Sequence, residues 1–196
     1  REEEARQRTY AESIVNFLKY DLLGLTTVEG QTRFADSDAR DLGRNATLTD
    51  LLERAANKLD ERTDLAPAAE AQLRWMLGVN YRYQGDYERS CRLLERSLEL
   101  FKSIDGSGAN STLDAQQSLA MSHAYNGEHR KAIELMEPVA SMRRSLLGSN
   151  HPDSLSSLGN LAAEYRAAGD LDRAMPLLQS VDYETSHQLG VGNADS

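Results

Sequence analysis

The chain has 196 residues, 40% hydrophobic and 27% charged, with Pro at only 4 positions. That make-up suits one helical domain or a short helical array. Its 31 acidic residues outnumber 22 basic ones, and a net charge of −9 argues against nucleic acid as the main partner, since that binding rests on clustered Lys and Arg. Cys91 is the only cysteine, which excludes an internal disulfide. No apolar run approaches the ~20 residues of a membrane span, and no signal peptide is present.

Residues 1–23 predict a long amphipathic helix. After a charged REEEARQR start, Tyr10, Ile14, Phe17, Leu18, Leu22 and Leu23 form an apolar stripe. Such a helix must pack on something, either the body of the protein or a partner, including a second copy. Residues 24–46 are polar and aperiodic and read as a loop. Within it, Asp36, Asp38 and Gly43 do not meet the spacing of a calcium loop, which needs an acid at position five and Gly at six. Thr47 and Asp50 resemble a capping box opening a helix through Leu48, Leu51, Leu52, Ala55, Ala56 and Leu59, ending near residues 61–62. Pro67 suits the first turn of the next helix, predicted to run to about Tyr83. A further helix follows from about Asp86 to Ile104, with a Gly-containing connector behind it.

From residue 67 onward the chain repeats itself. Leu77-Gly78-x-x-Tyr81, Gly85, Ser90 and Leu94 align with Leu119-Ala120-x-x-His123, Gly127, Ala132 and Met136. Both align with Leu161-Ala162-x-x-Tyr165, Gly169, Ala174 and Leu178. The turn glycines stand 42 residues apart (127 − 85 and 169 − 127). A fixed period with fixed chemistry predicts an array of helix pairs. Small residues at 78, 120 and 162 and at 90, 132 and 174 let the two helices of a pair approach, and larger ones at 94, 136 and 178 fill the space one turn on. The predicted organisation is an N-terminal helical extension and loop over 1–66, then three repeats over 67–196, at about 71–104, 113–147 and 155–189. No polar capping helix is visible at the end, so the array is expected to be part of a longer one.

This pattern resembles the tetratricopeptide repeat, W-x2-L-G-x2-Y followed by A-x3-F. Arg74 stands where the motif puts Trp, with Trp75 one place on. The longer period, against the usual ~34 residues, and the Leu147-Gly148-Ser149-Asn150-His151-Pro152-Asp153-Ser154 stretch look like the kinesin-light-chain subclass. The resemblance implies an all-α tetratricopeptide-repeat solenoid with an N-terminal helical extension, acting as a protein-interaction module.

Catalytic chemistry is not legible. Phosphate-loop, zinc-protease and nucleophile-elbow motifs are all missing, and the four histidines have no ligand-like spacing with Cys91. The expectation is a chain that is not itself an enzyme, with no cofactor and no metal. His123 takes the Tyr position of its repeat and reads as a packing residue. What a helical solenoid offers is a concave face built by the first helix of each pair. The candidate partner-binding residues there are Trp75, Val79, Arg82 and Tyr83 in repeat one, Gln117, Met121 and Tyr125 in repeat two, and Asn160 and Arg166 in repeat three. The aromatic rings and planar guanidinium groups are the types that interface hot spots favour. Trp75 and Tyr83 have a second reading, packing against the 48–62 helix or the N-terminal helix. Asn160 falls where related repeats hold a ligand peptide's backbone, a role the resemblance implies.

The succession of segments is also similar to the C-terminal region of large bacterial serine/threonine protein kinases, behind a kinase domain and a single transmembrane helix. It runs from Val15-Asn16-Phe17-Leu18 through Leu48-x-x-Leu51-Leu52 to Pro67-x-x-Glu70-Ala71. That resemblance implies a signalling role, a membrane anchor upstream and an extracytoplasmic location; otherwise the location is cytoplasmic. The partner is expected to be a protein or peptide, with structural self-association as the alternative.

Overall fold

The computed structural model describes residues 48–191. The predicted 1–23 helix, the 24–46 loop and Thr47 lie outside the described residues. Within them the chain forms α1 (Leu48–Glu61), α2 (Pro67–Tyr83), α3 (Tyr87–Asp105), α4 (Asn110–Tyr125), α5 (His129–Leu147), α6 (Pro152–Ala167) and α7 (Leu171–Val191). No strand occurs among the described residues. Each helix packs on the next in chain order, and α2 also touches α4. The architecture is an all-α solenoid of three helix pairs, α2–α3, α4–α5 and α6–α7, with α1 placed ahead of them.

The turn inside each pair has one construction used three times. Gly85, Gly127 and Gly169 hold φ between +80° and +82°, the left-handed region where glycine has no Cβ penalty. Their N–H groups bond Arg82, Ala124 and Arg166 carbonyls, and the next residue's N–H reaches back to Tyr81, His123 or Tyr165. Paired bonds of this kind close a helix C-terminus. Asp86 and Asp170 then cap the following helix, each accepting the backbone N–H three residues on at 3.1 Å. Glu128, in the same place in repeat two, makes no cap bond; its carboxylate takes His123 and Lys131 instead.

Packing within a pair follows the small-residue positions. A Cβ built on Gly78 would lie 2.6 Å from Leu94 Cγ, and Leu94 is fully buried. Repeat two tolerates Ala120 at that position opposite unbranched Met136, and repeat three tolerates Ala162 opposite a half-buried Leu178. On the second helix, Ser90 Oγ donates to the Gly78 carbonyl at 2.7 Å and pairs with Ser122 Oγ, also at 2.7 Å. Ser97 Oγ satisfies the Ala71 carbonyl at 2.8 Å.

The junctions between pairs differ in chemistry at one register. Between repeats one and two, Trp75, Phe101 and Ala115 belong to one apolar cluster with Leu94, Leu98 and Leu119. Forty-two residues on, the same places hold Gln117, Arg143 and Ser157. Arg143 is 7% exposed, and its guanidinium bonds Gln117, Asp114 and Ser157, the last at 2.7 Å. One register thus holds an apolar cluster at the first junction and a hydrogen-bonded arginine at the second.

Helix α1 extends this register backward. Leu52, Ala55 and Leu59 are buried against Leu73, Leu77, Tyr81 and Leu93. Leu52 stands one period before Leu94, and Leu59 one period before Phe101, so α1 covers α2 as the second helix of a pair covers the next pair.

Candidate functional site

The first helices of the three pairs, α2, α4 and α6, carry all nine sequence-predicted partner residues. The structure brings three of them together, Arg82, Tyr83 and Tyr125, at the C-terminal ends of α2 and α4. Helix ends place them there, because each lies within three residues of the chain reversal at Gly85 or Gly127. Tyr83 is 78% exposed and Tyr125 is 59% exposed, whereas Arg82 is only 9% exposed. The Arg82 guanidinium carbon lies 4.8 Å from the Tyr83 ring centre and 5.7 Å from that of Tyr125, within cation–π range of both. Behind them Tyr87, at the start of α3, stacks on Tyr125 with centroids 6.0 Å apart and planes 13° from parallel. The result is an aromatic platform in which two tyrosines face one guanidinium and a third stacks on Tyr125. Tyr87 was not among the sequence candidates. Its signal was the turn position after Asp86, which places it beside the first helix of the next pair.

The other candidates are engaged differently. Trp75 is half-buried and donates its indole N–H to Ser118 Oγ at 3.0 Å, so it packs forward onto repeat two, not back onto α1. Val79 packs against the same apolar cluster. Gln117 accepts from Arg143 and from Ser157. Met121 packs onto the cluster of Ala120, Met136 and Leu161. Asn160 is half-buried on α6 and Arg166 is exposed at its end.

Two further places have the residue types of a site. His123 Nδ1 lies 3.7 Å from Cys91 Sγ and 2.5 Å from Glu128 Oε2. One nitrogen faces both groups, so the imidazole cannot relay a proton between them. Burial pushes the Cys91 thiol up to about 11, leaving it un-ionised and poorly nucleophilic at neutral pH. The second is a cavity of ≈ 570 Å³ among α1, α2 and α3, lined by Glu53, Asp60, Arg74, Tyr81, Arg89 and Arg92 among others. Two of its arginines are paired with α1, Arg74 with Asp60 at 2.8 Å and Arg89 with Glu53 at 2.5 Å. The Tyr81 hydroxyl is buried there without a hydrogen-bond partner, and burial pushes its phenol up. Among the described residues no group of three or more His, Cys, Asp or Glu side chains could hold a metal ion, and no helix is long and apolar enough to cross a membrane.

Known proteins resemble this arrangement in fold. No curated protein matches the sequence significantly. A kinesin light chain-type protein of Podosopora anserina, built of nearly identical TPR-like repeats, superposes with a TM-score of 0.62 at 21% identity, over 93% of this chain and 95% of that one. The MamA protein superposes with a TM-score of 0.54 at 16% identity, over 92% of this chain and 96% of its own. The tetratricopeptide repeat model matches residues 68–144 and again 111–181. Those matches span more than half of the sequence and include every turn glycine of the array, and the chain belongs to the tetratricopeptide repeat family.

Proposed function

We propose that the chain is a non-catalytic interaction module whose concave face receives a protein or peptide segment at the Arg82, Tyr83 and Tyr125 platform. Tetratricopeptide repeats generally mediate protein–protein interaction. The observation that carries the reading is the exposure of Tyr83 and Tyr125 beside a sheltered guanidinium. Aromatic and Arg side chains of this kind concentrate binding energy at interfaces. Val79, Met121, Asn160 and Arg166 extend the contact surface along the same helices, while Trp75 and Gln117 hold the repeats in place beneath it. The test is affinity capture with the wild-type chain and a Tyr83→Ala, Tyr125→Ala variant of unchanged helicity. A specific partner lost by the variant supports the platform; identical capture by both forms removes it.

The order of segments supports a finer reading, a regulatory region of a bacterial serine/threonine protein kinase with a membrane anchor upstream, the repeats lying outside the cytoplasm. An antibody to the fragment should then detect a membrane-fraction polypeptide that is long enough for a kinase domain and labels itself with phosphate. A fragment-sized soluble species would overturn that reading.

Self-association is favoured by one observation on α7. Cys91 and Ile133 are each 9% exposed, yet Met175 in the same register is 50% exposed, and Leu171 is 56% exposed. Sedimentation of wild type and Met175→Glu decides it: a concentration-dependent dimer abolished by the substitution supports this reading, and a monomer at all concentrations ends it.

A further inference from the structure

Among the described residues two arginines are buried, and they are treated differently. Arg143 donates through both terminal nitrogens, to Gln117, Ser157 and Asp114. Arg82 is 9% exposed, yet its Nε has no hydrogen-bond partner. Among the described residues its guanidinium meets only the ring faces of Tyr83 and Tyr125. A mostly buried guanidinium without a counter-charge leaves part of its desolvation uncompensated, at Nε above all. Ring faces supply only part of that compensation.

We infer that the ligand segment presents one acidic side chain, aspartate or glutamate, to the Arg82 guanidinium between Tyr83 and Tyr125. The inference rests on the platform being the binding surface. A carboxylate matches the guanidinium fork with two parallel N–H···O bonds. It also carries the single negative charge that neutralises a single cation. A phosphate would leave excess negative charge in a sheltered site. The chain's net charge of −9 does not decide between them, because exposed charges beyond ~8–10 Å are screened at physiological salt. The exposed Tyr83 and Tyr125 rings would cover the residues flanking the acid.

The register assigns one such pocket. Arg82 is followed at 42-residue steps by Ala124 and Arg166, and Tyr83 by Tyr125 and Ala167. Arg166 is exposed and is followed by Ala167, where Arg82 is followed by Tyr83. The acid is therefore required at one position of the ligand, not periodically along it.

The experiment is selection of peptides from a displayed random library on the wild-type chain. Synthetic copies of selected peptides are then measured with the acid intact, as the amide, and as phosphoserine. Enrichment of Asp or Glu at one fixed position is expected. The amide and phosphoserine copies should each bind ~10–100-fold more weakly. Arg82→Gln should abolish the difference between acid and amide, and Arg82→Lys should restore part of it. In labelled wild-type protein the Arg82 Nε–H resonance should move on adding the acidic peptide, a readout independent of how the variants fold. Peptides that depend on Tyr125 but show no acid preference would overturn this inference and leave the platform standing. Tighter binding of the phosphoserine copy would assign the pocket to phosphate instead and overturn it too. No selected peptides, or peptides indifferent to Tyr83→Ala and Tyr125→Ala, would overturn both.

Discussion

Glu53 stands to Arg89 as Glu137 stands to Arg173, two repeat periods later. In each case an acid on the preceding second helix meets an arginine, at 2.5 Å and 3.5 Å. In each case that arginine lies over the conserved-register tyrosine, 5.6 Å from the Tyr81 ring centre and 4.3 Å from that of Tyr165. Helix α1 therefore docks with the clasp used inside the array. Both ends of the Glu53–Arg89 pair are more than a third exposed, so Glu53→Gln should cost no more than ~1 kcal/mol. Leu59 is fully buried beneath the same helix, and Leu59→Ala should cost ~2–5 kcal/mol. Hydrogen exchange should show α1 amides losing protection in Leu59→Ala while α4 and α5 amides keep theirs. Equal loss in all helices would mean that α1 and the array melt as one unit.

Gly78 is held to its identity by Leu94. Gly78→Ala should destabilise by ~1–3 kcal/mol through overpacking. Gly78→Ala with Leu94→Met, the pairing that Ala120 and Met136 already use, should recover most of the loss. Urea denaturation of the two variants checks the pair. A neutral single variant would show that Leu94 can move aside.

Trp75 and Tyr83 separate packing from recognition. Trp75→Ala removes an anchored indole from the first junction and should cost ~3–5 kcal/mol. Tyr83→Ala should stay within ~0.5 kcal/mol, as expected of an exposed side chain. Denaturation midpoints of the two proteins should differ accordingly, and Trp75 emission should report opening of the repeat one–two junction.

Cys91 should resist alkylation while the protein is folded. With the thiol pushed up to about 11 by burial, the thiolate fraction at neutral pH is ~100-fold or more below that of a free cysteine. Mass spectrometry after iodoacetamide treatment should find native protein unmodified and urea-unfolded protein modified. Rapid native labelling would show that α3 and α4 separate readily.

Asp170 links stability to acid pH. The Arg173 side chain, and then its backbone N–H, hold this carboxyl below the usual carboxylate range. A depressed folded-state value stabilises above the ordinary aspartate value of ~3.9 and loses that contribution as pH falls through the lowered one. Asp170→Asn should therefore be less stable at neutral pH and show a shallower decline below about pH 4. Parallel slopes in the two proteins would assign the acid sensitivity to other groups.

The helix pairs were legible because their determinants are local. Turn glycines at 85, 127 and 169, the Asp caps and the apolar spacing act within a few residues, and predicted boundaries such as 67–83 match α2. The platform was legible only as separate residues. Arg82 and Tyr125 are far apart in sequence, and nothing along the chain distinguishes an arginine hydrogen-bonded by neighbours from one that faces only rings. Tyr87 was missed because its partner ring belongs to the next repeat. Trp75 resembled a groove residue for the same reason, since its hydrogen bond to Ser118 crosses a junction.

By itself, the sequence determined the helices, the 42-residue period and membership of a repeat solenoid, because periodic burial and backbone reversal are written in adjacent residues. Only the tertiary structure decided that Trp75 and Gln117 bind the repeats together, that α1 docks in the repeat register, and that Arg82 is sheltered among tyrosines. Those outcomes depend on which side chains of different helices share one small volume. There, a single hydrogen bond or its absence changes whether a residue supports the fold or waits for a partner.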